Sequence, residues 1–286
     1  MKYAFIQQHQ AQFPVLRLCD VLQVPAAGYY AWHKRPTSQR AQDNARLDVH
    51  IKAIFVAHKQ RYGSPRITEE LREHGEVCSE NRIAARMVAL DLHAKAKRQY
   101  KATTQSNHNL PVAPNLLEQN FTAAAANQKW VSDITYVWTE DGWLYLAVVL
   151  DLYSRMVVGY ATSARIDRAL VMAALRMALF RRKLPRGVIV HSDRGSQYCS
   201  SDYQALLKAH GLICSMSKRG DCYDNAAMES WNHSYKVETI HGERFATRLH
   251  AEKTTIEYID FYYNVKRRHS TNGQQSPLAY ELANAA

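Results

Sequence analysis

Between Trp130 and Ala161 the chain carries three strand-like runs in close succession, Trp130–Val137, Trp143–Asp151 and Arg155–Ala161, rich in Val, Leu and aromatic residues. Only short turns separate them, Glu140-Asp141-Gly142 and Tyr153-Ser154, so the runs form a meander. The rhythm then changes. Asp167–Lys183 has helical spacing, Val188–His191 reads as a short buried strand, Asp202–His210 as a helix and Leu212–Ser215 as a final strand. A meander followed by alternating helix and strand predicts one mixed sheet with the fourth strand beside the first.

Upstream, the signals are helical. Phe13–Trp32 has helix-turn-helix proportions with a break at Val24-Pro25, and Pro36–Arg40 reads as a linker. Leu47, Ile51, Ile54 and Phe55 form one apolar stripe of a helix that ends before Tyr62-Gly63. Ser64, with Pro65 at the first position, opens a further helix that stops at Gly75. Ser79 opens a third, Glu80–Val88, with Ile83, Met87 and Val88 expected inward and Arg82 and Arg86 outward. Residues 94–120 are basic, polar and aperiodic, a linker suited to lie along a polyanion; Leu249–Tyr263 is helical again. These signals divide the chain into a helix-turn-helix-like unit at 1–40, a second helical unit at 41–93, a basic linker at 94–124, a mixed-sheet core at 125–240 and a helical extension at 241–286.

Charge points to the partner. The chain has 37 Lys and Arg against 26 Asp and Glu, and residues 1–110 hold 17 basic and 9 acidic side chains of these. That excess favours nucleic acid, with Arg66, Arg82, Arg86, Lys95, Lys97 and Arg98 as candidate contacts, and Arg267, Arg268 and His269 as further ones near the end. No apolar run reaches 18 residues and no signal-peptide core opens the chain, so a cytoplasmic protein without membrane contact is expected. The five cysteines include no C-x-x-C pair, which argues against a disulfide framework or a cysteine zinc site.

Three carboxylates carry the chemistry. Asp133 lies in the first strand, Asp193 just past the end of the fourth, and Glu229 in the helical run Asp224–Lys236. Pairing of the first and fourth strands brings the two aspartates together. On the helix, Asn225, Glu229, Asn232 and Lys236 recur at i, i+4, i+7 and i+11, which aligns a carboxylate with amides and a lysine suited to a DNA phosphate. Mg²⁺, a hard cation, prefers such oxygen donors, and two ions sharing the set could clamp both oxygens of an in-line displacement at phosphorus. Asp151 is the rival carboxylate, assigned to organising the turn to Ser154 and Arg155; His191 is assigned to supporting a strand end.

The segments W130-V-S-D-I-T-Y, H191-S-D-R-G-S-Q-Y and S217-K-R-G-D-C-Y-D-N-A-A-M-E-S-W-N-H-S-Y-K together resemble the D-D-E transposases with a retroviral-integrase-type core, more narrowly the second-reading-frame transposases of the bacterial insertion-sequence family three. Y62-G-S-P-R-I and Y263-N-V-K-R-R-H-S fit the same family, so the resemblance spans nearly the whole chain. It implies Asp133, Asp193 and Glu229 as catalytic metal ligands for Mg²⁺, or Mn²⁺ in its place, and Lys236 as a DNA contact. It implies double-stranded DNA as partner, with a homo-oligomer assembled on it and an upstream-frame protein or frameshift fusion. The fold class is α/β: a ribonuclease-H-like mixed-sheet catalytic core preceded by small all-α, helix-turn-helix-like units. Two rival readings are a ribonuclease-H-type nuclease or resolvase, which hydrolyses without joining, and a non-catalytic DNA-binding regulator.

Overall fold

The computed structural model describes residues 1–95, 111–218 and 222–285. Lys97 and Arg98, two of the candidate DNA contacts, lie outside them.

The N-terminal unit contains α1 (Lys2–His9), α2 (Val15–Val21) and α3 (Ala26–Lys34). Its core is small, built on buried Ile6, Cys19 and Tyr29 with Tyr3 and Trp32 packed around them. Helix α1 has no counterpart in the sequence expectations, because eight residues with a single buried apolar side chain give no readable period.

The second helical unit follows. Helix α4 (Gln39–Ala57) starts inside the expected linker, where Ser38 Oγ accepts a hydrogen bond from the Ala41 amide at 3.3 Å. It buries Leu47, Ile51 and Phe55. Helix α5 (Ser64–Glu73) is capped by Gly63 rather than Ser64, with Pro65 in its first turn. Ser79 caps α6 (Glu80–Ala89) by accepting from the Arg82 amide at 3.3 Å. Ile83 and Met87 are buried there, but Val88 is exposed. At about 100° per residue it falls outside the stripe those two residues define.

The sheet consists of β1 (Lys129–Thr139), β2 (Gly142–Asp151), β3 (Val157–Ser163), β4 (Ile189–Ser192) and β5 (Ile213–Met216), with α7 (Arg168–Arg181) between β3 and β4 and α8 (Ser201–Ala209) between β4 and β5. The spatial order is β3-β2-β1-β4-β5. The first three strands are antiparallel, and β4 and β5 add on in parallel. This is the expected mixed sheet.

Helix α7 lies on β3 and β2. Its approach depends on Gly159: a Cβ there would stand 2.3 Å from the Ala174 carbonyl oxygen and 2.7 Å from the Ala178 nitrogen. The opposite face is covered by α9 (Ala226–Tyr235) and α10 (Arg248–Ile256), each continued by a π-helical segment, Lys236–Ile240 and Glu257–Tyr263. A short α11 (Pro277–Ala283) follows. One apolar cluster runs from Leu47, Ile51 and Ile67 of the second helical unit through Tyr258 and Tyr262 to Trp231 and to Val131 and Leu146 of the sheet. The helical unit is therefore packed onto the face that also carries α9.

Asp151 is fully buried at the end of β2 and accepts from the Tyr153 amide at 3.0 Å, the Asn127 amide at 2.8 Å and Trp130 Nε1 at 3.3 Å. With every oxygen engaged, it organises the turn.

Candidate active site

Strands β1 and β4 pair in parallel with Ser132 opposite Ser192, and the ladder ends there. Asp133 and Asp193 are the next residue on each strand, so the two carboxylates leave the sheet side by side. Asp133 Oδ2 accepts from Asn232 Nδ2 at 2.7 Å, and Asp193 Oδ1 accepts from the Gly195 amide at 2.9 Å.

Burial, followed by the neighbouring Asp193 charge, pushes the Asp133 carboxyl up to about 7. Hydrogen bonds to the Ile134 amide and to Asn232 act in the opposite direction, and Glu229 adds a smaller upward push. The site thus brings carboxylates together in a buried setting. Tyr198 closes the floor behind the aspartates, its hydroxyl 3.0 Å from Ser132 Oγ, and burial raises its phenol pKa.

Glu229 sits in the first turn of α9, exposed, with its carboxyl also raised by partial burial. Trp231 and Tyr235, stacked at 5.2 Å, anchor that helix to the sheet. Among the described residues, no three His, Cys, Asp or Glu side chains are drawn tightly enough together to hold a metal ion. The aspartates form the close pair, and Glu229 lies on the helix whose Asn232 reaches Asp133. The donors are all hard carboxylate oxygens, so the set fits a divalent cation such as Mg²⁺.

Lys236 is half-buried at the junction of α9 and its π-helical continuation, with Nζ 4.6 Å from the centre of the Tyr136 ring. Burial lowers its pKa, against the upward pull of Tyr136 and Asp133. Asn225 is the N-cap residue of α9 and is buried, which removes it from the exposed face expected of it. His191 is buried between Ser215 Oγ at 2.8 Å and Ser217 Oγ at 3.2 Å, and burial lowers it to about 4, so it is a neutral support for the strand end.

Several of the basic residues expected to touch DNA have protein partners. Arg267 is buried, with Nε 2.9 Å from both carboxylate oxygens of Glu238 and Nη2 2.8 Å from one of them. Arg66 lies 3.5 Å from the same carboxylate, and Lys95 and Arg61 reach the Glu238 carbonyl at 3.4 and 3.0 Å. The Tyr258 hydroxyl donates to Glu238 at 2.9 Å. His269 is buried against Tyr263 and Arg267, and burial together with Arg267 lowers it to about 2.

Contrary to the sequence expectation, then, Arg267 and His269 do not reach solvent. Arg268 pairs with Glu73 and Glu70, Arg86 holds both oxygens of Asp48 at 2.8 and 2.6 Å, and Arg82 donates to Asn44 at 2.8 Å. Sequence reasoning missed Glu238 as the common acceptor of Arg267, Arg66, Arg61 and Lys95. The available signal was the aromatic run Y258-I-D-F-Y-Y263, too apolar to flank a DNA-facing arginine cluster.

Comparison with known proteins agrees with this architecture. The Integrase core domain family matches residues 123–222, a second Integrase core domain family matches 210–277, and the HTH-like domain family matches 41–100. The transposase InsF for insertion sequence IS3A of Escherichia coli (strain K12) is 51% identical over 288 residues, covering 100% of both chains. An insertion element IS600 31 kDa protein of Shigella sonnei is 46% identical, covering 92% of this chain and 97% of its own. Among solved structures, the HTLV-2 integrase catalytic core domain in complex with magnesium aligns at a TM-score of 0.40 with 14% identity, covering 55% of this chain and 98% of that one. Among the described residues no helix is long and apolar enough to cross a membrane. With identity at this level over the whole length and the integrase core in place, the chain belongs to the transposases of the IS3 insertion-sequence family.

Proposed function

We propose that the strand cleavage and strand transfer of this transposase are carried out by Asp133, Asp193 and Glu229 at the ends of its insertion sequence. The observation that carries the proposal is the Asp133–Asp193 pair, set side by side where the β1–β4 ladder ends, with Asp133 raised to about 7. The three carboxylates would hold divalent cations, Mg²⁺ with Mn²⁺ able to substitute, two per site. When bound, these supply Lewis-acid activation at phosphorus and a nucleophile at neutral pH. Asn232 orients Asp133, Gly195 fixes Asp193, and Lys236 offers its ammonium to the phosphate beside the scissile bond. Water is the nucleophile in the first step and the freed 3′-hydroxyl in the second; both are displacements at phosphorus, so one site serves both.

The units at 1–40 and 41–93 and the linker at 94–124 would grip duplex DNA ahead of the catalytic core at 125–240, with 241–286 bracing that core. The active species is a homo-oligomer on DNA, joined to an upstream-frame segment by fusion or association.

The test is cleavage and joining of labelled element-end duplexes in Mg²⁺ or Mn²⁺ by the wild type and Glu229→Gln. Joined product that falls at least about 100-fold in the variant, with thermal stability unchanged, supports the assignment. Equal joining by both proteins rejects it, and cleavage without joining by the wild type favours a nuclease.

A further inference from the structure

The hairpin of β1 and β2 extends well beyond the strand that carries Asp193. Only Lys129–Ser132 of β1 pair with β4, whereas β2 accompanies β1 as far as Thr139. From Asp133 onward, the side of β1 away from β2 therefore has no neighbouring strand. Three aromatic rings gather along this overhang: Trp138 and Trp143 face each other across the hairpin, 4.8 Å apart and edge-on, and Tyr136 meets Trp143 at 5.0 Å. Trp138 is 59% exposed and Trp143 42% exposed, although the strands bearing them are otherwise mostly buried.

Two cations flank the rings. Lys236 Nζ stands 4.6 Å from the centre of the Tyr136 ring, and it follows the helix whose Asn232 reaches Asp133. Arg248 donates from Nε to the Trp143 carbonyl at 3.0 Å, which fixes its guanidinium beside the hairpin tip. Asp133 and Tyr136 leave opposite faces of the strand, but beyond Ser132 its edge away from β2 is open. At about 3.3 Å per residue, Trp138 lies about 17 Å along β1 from Asp133.

We propose that Tyr136, Trp138 and Trp143 form a stacking platform for unpaired DNA bases, reached from the scissile phosphate along the open edge of β1. The inference rests on the transposase reading above and deepens it, since it names the form of DNA the site takes. Exposed rings between fixed cations suit single-stranded nucleic acid, because every base has a face to stack while the cations follow the phosphates. A fully paired end has no free base faces to offer. The edge-on Trp138–Trp143 contact stabilises the hairpin with or without DNA, and the platform uses the outward ring faces that this contact leaves exposed.

The experiment compares binding of two element-end DNAs, one blunt and one with three unpaired nucleotides at the cleaved end, each carrying 2-aminopurine at the terminal positions. The wild type is expected to prefer the unpaired end about tenfold, with the 2-aminopurine emission quenched by stacking. In Trp138→Ala the ratio of the two affinities should collapse to near one, and Trp138→Phe should restore most of it. Equal wild-type affinity for both DNAs, or an unchanged ratio in a folded Trp138→Ala, overturns the platform. Strand joining measured on the same wild-type samples separates the two ideas: joining without preference removes the platform alone, and preference without joining removes the catalytic reading alone.

Discussion

Asn232 donates a hydrogen bond from Nδ2 to Asp133 Oδ2 at 2.7 Å, linking the helix that carries Glu229 to the strand that carries the first aspartate. The bond favours the ionised carboxylate, against burial and Asp193, which raise it. Asn232→Ala should leave Asp133 harder to ionise and less firmly oriented. The Mn²⁺ concentration for half-maximal cleavage is expected to rise about 10- to 100-fold, read from cleavage rate against metal concentration. An unchanged half-saturation would remove Asn232 from this role.

Glu238 predicts a stability effect remote from the chemistry. It binds Arg267 inside the protein while Arg66, Arg61 and Lys95 converge on the same residue from the helical unit. Glu238→Ala leaves Arg267 charged and buried, which should cost about 3–5 kcal/mol in denaturant unfolding. A loss below about 1 kcal/mol would show that the pair is solvated in solution.

Much of this was legible in the sequence. The meander, the order of the later elements and the positions of Asp133, Asp193 and Glu229 follow from local patterns: strand-like runs, turn residues, and a helical segment with Asn232 and Lys236 on the face of Glu229. What was not legible depends on long-range partners. Arg267 reads as a surface cation until Glu238, 29 residues earlier in sequence, is placed against it. Arg86 likewise needs Asp48, 38 residues away. The π-helical segments also escaped notice, because a periodicity of 3.6 carries no sign of a locally widened turn.

His269 gives a pH dependence. It is surrounded by Tyr263, Arg267, Arg66 and Arg155, and its folded-state pKa is about 2 against about 6.5 when unfolded. Below pH 6.5 the unfolded chain therefore takes up a proton that the folded chain refuses. The stability contribution is complete above that pH and declines as pH falls, by about 1.4 kcal/mol per unit. Between pH 7 and pH 5, His269→Gln should lose about 2 kcal/mol less than the wild type in parallel urea titrations. Identical pH slopes would place the imidazole in contact with water.

Gly159 sets how closely α7 approaches the sheet. A methyl group there meets the backbone of Ala174 and Ala178, neither of which can yield without moving the helix. Gly159→Ala should destabilise the protein by about 1–3 kcal/mol in thermal or denaturant unfolding. A neutral result would mean that α7 shifts without cost.

The register of β1 against β4 ties both aspartates to a single parity. Successive residues of a strand face opposite ways, and Asp133 and Asp193 each stand one step beyond the Ser132–Ser192 pair. Inserting one residue within β1 ahead of Asp133 would turn that carboxylate to the face beneath α7 and α8, whereas inserting two would restore its direction but displace it by about 6.6 Å. Lengthening a loop changes neither quantity. Descendants of this chain can therefore change the lengths of loops remote from the aspartates, while the four residues of β4 and the matching stretch of β1 must keep count together.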